Sequence, residues 1–160
     1  MAVAIGAAGC VRMGEKAVPG QCGAEWWSRV YSPRRFVIQQ PCVTLRATVD
    51  AVRHPLDGDA ILIVTLDPEY AYLSNEKNRE HYGKDSLELE IVCKNPISRF
   101  FVLRCWRCVN KIPVPKVGDR IEADGFYVLD IRHQHMELHP VTRLEILSPA
   151  GASSPRSPRE

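Results

Sequence analysis

CVTLRATVDAVRHPLDGDAILIVTLDPEY, residues 42–70, is the stretch on which the fold turns. From Val43 to Val52 apolar and polar residues alternate and β-branched residues are enriched, which places Val43, Leu45, Ala47 and Val49 on one face of a strand. His54-Pro55-Leu56-Asp57-Gly58-Asp59 supplies the residues that fix or tolerate turn geometry, and AILIVTL, residues 60–66, resumes as a β-prone run. The pair predicts a hairpin. Asp67-Pro68-Glu69 reads as a helix start, because Asp accepts from free N–H groups, Pro suits the first helical position and Glu complements the dipole. The spacing predicts a polar helix from Pro68 to about Tyr82, stopped by Gly83.

Working outward, residues 87–93 (LELEIVC) alternate again, with Leu87, Leu89, Ile91 and Cys93 facing inward and Glu88 and Glu90 outward. Residues 97–112 switch to a helical period and predict a short amphipathic helix ended by Pro113 and Pro115. A fourth strand is expected from Arg120 to Leu129, a turn near Ile131 to Gln134, a strand from His135 to His139, an interruption at Pro140 and a last strand over residues 142–147. Mainly β structure with two short helices, as a small closed five- to six-stranded barrel of the oligonucleotide/oligosaccharide-binding (OB) type, fits this order, since a flat sheet would expose long edges.

At 160 residues the chain has room for one domain, and 45% hydrophobic with 25% charged residues is the composition of a globular protein. The expected organisation is a mobile N-terminal extension at 1–40, the barrel at 41–147 and a disordered tail at 148–160, where SPAGASSPRSPRE has no large apolar group to offset ordering entropy. No apolar run is long enough to span a membrane as a helix. MAVAIGAAGC has no basic residue before Arg12 and two glycines in its apolar stretch, a poor export signal, so the expected location is cytoplasmic. The net charge of +2 hides an uneven distribution, with 14 basic and 16 acidic groups in residues 41–150. Whole-chain electrostatics do not mark a nucleic-acid binder.

Residues 42–70 together with GDRIEADGFYVLDIRHQHMELHPVTRLEIL, residues 118–147, resemble a family of small OB-like barrel proteins. Its pattern is C-V-T-V-x-G-x-V, D-G-D, L-D-P and then G-x-Y-V-L-D-x-x-H-G-W-M-E-I-H-P-V. The M-E-[IL]-H-P-V segment is the most specific part; Ala47 stands where the family often has Gly, and Gln134-His135 replaces Gly-Trp. The resemblance implies the fold, brings no established activity, and includes members that are often exported. A weaker likeness is to the thermonuclease-type barrel, whose D-G-D turn supplies a metal-binding carboxylate.

Two constellations carry the functional expectations. Lys94 to Lys116 holds six basic residues and no acidic one, and Arg99, Phe100, Arg104, Trp106, Arg107 and Lys111 would suit single-stranded nucleic acid, with cations on phosphates and rings on bases. Arg34-Arg35-Phe36 is a smaller basic and aromatic cluster. The leading expectation is therefore a non-enzymatic, cofactor-free OB-like binding module. The alternative is a metal-dependent hydrolase of phosphodiesterase type. It would use Asp57 and Asp59 with His135, Glu137 and His139, whose period-two spacing puts them on one strand face, to hold one divalent metal such as zinc. In that reading Asp130 is an outer partner, and the turn removes His133 from the line. Docking to a protein partner is the third reading. Cys105-Trp106-Arg107-Cys108 lacks the second pair of a zinc ribbon, and in an oxidising compartment Cys93 has Cys105 or Cys108 as a partner.

Overall fold

The computed structural model describes Cys22 and residues 24–94 and 110–151. Two short 3-10 turns, Ala24–Arg29 and Pro33–Arg35, lead into β1 (Phe36–Arg53), which is followed by β2 (Ala60–Leu66). A 3-10 segment, Pro68–Leu73, and α1 (Glu76–Tyr82) connect to β3 (Ser86–Ile91); β4 (Arg120–Asp130) and β5 (His135–Ser148) complete the set. The five strands hydrogen-bond in a ring, in the order β1-β2-β3-β5-β4 and back to β1. Closure depends on the length of β1: Phe36 to Thr48 pair with β4, while Ala47 to Arg53 pair with β2. Every pairing is antiparallel except that of β3 with β5, where Glu88 stands beside Glu137 and Leu89 beside Leu138.

The period-two alternation explains the interior. Leu45, Ala47, Val49, Leu62, Val64, Leu87, Leu89, Ile91, Ile121, Ala123 and Leu138 point to one side of their strands and form the main apolar core. A second cluster lies apart from it, made of Trp26, Val30, Phe36, Val92, Phe126 and Val128 around the Cys22–Cys42 disulfide. Residues 24–40 are thus not the free extension expected of 1–40. Trp26 and Val30 are buried, the disulfide ties the segment to β1, and closing a loop with a sequence separation of 20 removes about 3 kcal/mol of unfolded-state entropy. β1 starts at Phe36 rather than Val43; the alternation of the earlier residues is hidden because Val37 to Gln40 are all exposed.

The expected helix from Pro68 to Tyr82 divides in two. Asp67 makes no cap with its side chain and pairs with Arg120 instead, and Asn75 restarts the chain as α1 through a reciprocal capping box with Asn78. Gly83 ends α1 as expected, at a φ of 105°. Asn78 is wholly buried, and its amide both accepts from Met136 N–H and donates to Met136 C=O, each at 2.8 Å. In this way α1 completes the edge of β5 just before its pairing with β3 begins at Glu137. The expected helix over 97–112 falls largely outside the described residues, and so do residues 152–160 of the tail. Ser148 is the last residue of β5, and Ala150 N–H donates to Asp119 Oδ1 at 2.8 Å, so the folded chain extends past 147.

β5 does not stop at Pro140. It passes through a cis His139–Pro140 bond, opposite a register shift in β4 where Gly125 pairs with Val141 and Tyr127 with Leu138. The bulge leaves Pro140, which has no N–H to give, out of the ladder. Gly125 is what permits the close approach, because a Cβ there would lie 2.7 Å from Pro140 O and 2.8 Å from Leu138 Cγ. Gly125→Ala is therefore expected to destabilise the fold by about 1–3 kcal/mol, measured as a lower urea midpoint with an unchanged slope.

A candidate metal centre in a buried acid and imidazole cluster

Alternation correctly puts Glu88 and Glu90 on the face of β3 opposite the core, yet both are buried, at 7% and 4% exposure. The same holds for His135, Glu137 and His139 on β5. The outer face of these two strands is covered. Phe36 lies against His139 with ring centroids 4.4 Å apart, and Trp27 packs on Phe36 and Phe126. At the other end Tyr82 and His81 from α1 and His133 from the β4–β5 turn surround the His135 ring at 5.5–6.0 Å.

Glu137 is the hub. Its Oε1 is 2.8 Å from His135 Nε2 and its Oε2 is 3.1 Å from His139 Nδ1, while Glu90 Oε2 approaches the same Nδ1 at 2.6 Å. Burial pushes the Glu137 carboxyl up, but the hydrogen bonds from His135 and His139 outweigh it and hold the group down to about 2. Burial also opposes charge on His139, and Glu90 and Glu137 overcome that to raise it to about 10. Glu90 is lowered: burial raises it, and the His139 charge more than reverses this. Beside them Glu88 is raised by burial and by Glu137, and accepts from Tyr82 O–H at 2.5 Å.

The turn of residues 54–59 reaches the same network. Asp59 Oδ1 accepts from Cys93 N–H at 2.6 Å, and burial, then the charge of Glu90, raises its carboxyl to about 8. Its own N–H donates to Asp57 Oδ1 at 3.3 Å, the local turn bond that short acidic side chains favour. On the far side Asp130, wholly buried, accepts from the N–H of Arg132 at 2.8 Å, pairs with His133 Nδ1 at 2.9 Å and lies 3.3 Å from Arg35 Nε. The turn that takes His133 off the strand therefore folds its ring back to stack on His135.

Three groups of donors are close enough to hold a cation: Asp130, His133, His135 and Glu137; Glu90, Glu137 and His139; and Asp57, Asp59 and Glu90. Within each, one donor atom per residue lies within 4.8 Å of all the others. Glu90 and Glu137 link the three groups. All five residues expected for the metal reading, Asp57, Asp59, His135, Glu137 and His139, thus fall in one network, though not around one point. Sequence reasoning missed Glu88, Glu90 and Arg35 as members. The Glu-x-Glu of β3 was visible, but only the parallel pairing of β3 with β5 brings it to the His-x-Glu-x-His strand. Of the residues expected to bind nucleic acid, Lys111 is exposed, and Arg99, Phe100, Arg104, Trp106 and Arg107 lie outside the described residues.

A cleft of about 410 Å³ opens onto the network, with Arg35, Tyr82, Glu88, Glu90, His133 and His135 in its wall. Deeper in, His135 Nδ1 and His139 Nε2 are buried with no hydrogen-bond partner among the described residues. No helix among the described residues is long and apolar enough to cross a membrane. Neither a family model nor a curated protein matches the chain.

Because Glu137 is the shared counter-ion of two buried rings, Glu137→Gln keeps the shape and removes the charge. The expected loss is about 3–5 kcal/mol, the size found when one partner of a buried pair is taken away, read from chemical unfolding of metal-free protein.

Proposed function

We propose that this chain is an OB-like barrel module that binds one divalent transition metal, zinc or a similar ion, through Asp130, His133, His135 and Glu137. The observation that carries the reading is the pairing of these four donors. Asp130 with His133 and Glu137 with His135 form two acid and imidazole contacts, at 2.9 and 2.8 Å, and the two rings, stacked 5.5 Å apart, line an open cleft with the two carboxylates buried behind them. In each contact a proton sits between two good metal ligands. A cation between the pairs takes the place of those protons, and two carboxylates match its charge. Two imidazoles with two carboxylates suit zinc and its neighbours rather than calcium or magnesium, which prefer an all-oxygen set.

The family resemblance supports the barrel. Gln134 has a φ of 63°, a conformation glycine adopts more readily, at the position where the family pattern has Gly. His135, where that pattern has Trp, fills the space beneath Tyr82 as a ring that can also ligate. The covalent chemistry bears on location: Cys22 pairs with Cys42, and Cys93 is disulfide-bonded to a cysteine outside the described residues. Disulfides persist in oxidising compartments, so we place the folded protein there rather than in the cytoplasm.

Purified protein, stripped with chelator and re-equilibrated with zinc, is expected to retain one equivalent by elemental analysis. His133→Ala combined with His135→Ala is expected to retain less than a tenth of that. Equal retention by the double variant sinks the assignment.

A further inference from the structure

Among the described residues lining the cleft, Arg35 is the one permanently cationic side chain. Its position is set by structure on every side. The backbone closes the turn Pro33–Arg35 by donating to Ser32 O at 3.0 Å and accepts from Ile131 N–H at 2.9 Å. The guanidinium lies over the Phe36 ring, 4.5 Å from its centroid, and Nε faces Asp130 Oδ2 at 3.3 Å. The stem is held by the ring and Nε is buried beside Asp130 as an ion pair without a hydrogen bond, while the side chain keeps 25% of its surface exposed. A guanidinium fixed in this way presents a planar fork of donors, the geometry that recognises an oxyanion.

Its neighbours give the fork a purpose. Asp130 touches both Arg35 and His133, so the fork stands next to the proposed metal donors rather than on a remote wall. An oxyanion entering the cleft meets the ion with one oxygen and the arginine with another. A volume of about 410 Å³ is in the range of small-molecule sites; Ile61 and Tyr82 supply apolar surface for whatever the anion is attached to, and Asp57, Glu88 and Glu90 line the same cleft, which confines an anion to the end held by Arg35 and the metal. From this juxtaposition we propose that Arg35 and the metal together bind the phosphate group of a small phosphate ester, which makes such esters the substrate class of the site. A phosphate is favoured over a carboxylate because its tetrahedral oxygens reach two flanking cations and leave a further substituent to point along the cleft. The inference rests on the metal reading above.

The test is calorimetric titration of the zinc-loaded full chain with phenylphosphonate, a non-hydrolysable probe, and with benzoate as the carboxylate counterpart. Zinc content is measured before any anion is added and zinc is kept at saturation throughout. Phenylphosphonate is expected to bind more tightly than benzoate, and Arg35→Gln to weaken it about tenfold or more at unchanged zinc content. Arg35→Lys, which keeps the charge and loses the fork, is expected to fall between the two, and it serves as the deciding variant if Arg35→Gln fails to fold. Unchanged phenylphosphonate affinity in the folded variant overturns the role of Arg35, and benzoate binding as tight as phenylphosphonate overturns the phosphate assignment. Wild-type protein that takes up no zinc is a different failure, of the metal reading, and is seen before the anion titration begins.

Discussion

Glu88, Glu90 and Glu137 stand on adjoining strands with almost no access to water, and much of what surrounds them follows from that constraint. A carboxylate taken out of water is costly unless a cation, a proton or a set of donors compensates it. Each of the three is compensated differently. Glu137 is held between two imidazoles, Glu90 lies 2.6 Å from His139 Nδ1 as an ion pair, and Glu88 takes a hydrogen bond from Tyr82 while its own carboxyl is pushed toward the neutral form. The opposite outer wall shows the contrast. There Arg46, Glu122, Arg143 and Glu145 form ion pairs open to solvent, of the kind that contribute little individually.

The cover that creates the constraint is itself the product of local features. The Cys22–Cys42 bond and the burial of Trp26 and Val30 hold the N-terminal turns in place, and those turns present Phe36 to His139 and Arg35 to Asp130. From the other end Asn78 binds the backbone of Met136, which fixes α1 so that Tyr82 and His81 close over His135. A face that would be an ordinary polar exterior becomes a largely buried wall beside a cleft, and burial is where acid and imidazole pairs acquire shifted proton affinities.

Strand-level structure was legible because it is written in nearest neighbours. The alternation through Val43 to Val49, the run AILIVTL and the Leu87, Leu89, Ile91 set all fall where expected, as does the stop at Gly83. The shared face of His135, Glu137 and His139 was legible for the same reason. Period two reports which face a side chain takes, and it carries no information on whether that face is covered. Glu88 and Glu90 were therefore expected in solvent. The cover comes from residues 24–36, whose Gly- and Ala-rich approach hides the buried Trp26, and from a helix cut short at Asn75 by a reciprocal cap. The pairing of β3 with β5 joins segments far apart in the chain, so no local pattern announces that Glu90 reaches His139. His133 leaves the strand line as expected, but the turn, once formed around Asp130, returns the ring to stack on His135, which no local pattern announces.

An ion held at the outer wall of β3 and β5, in place of a self-neutralised structural network, would be directly visible. Anomalous diffraction at the zinc edge, on crystals grown with zinc, detects it without reference to any activity. One strong peak is expected among the side chains of Asp130, His133, His135 and Glu137, at the bond lengths of about 2.0–2.2 Å typical of nitrogen and oxygen ligands. A zinc-soaked crystal with no peak there, and the Asp130–His133 and Glu137–His135 contacts still closed, would contradict the proposed metal site.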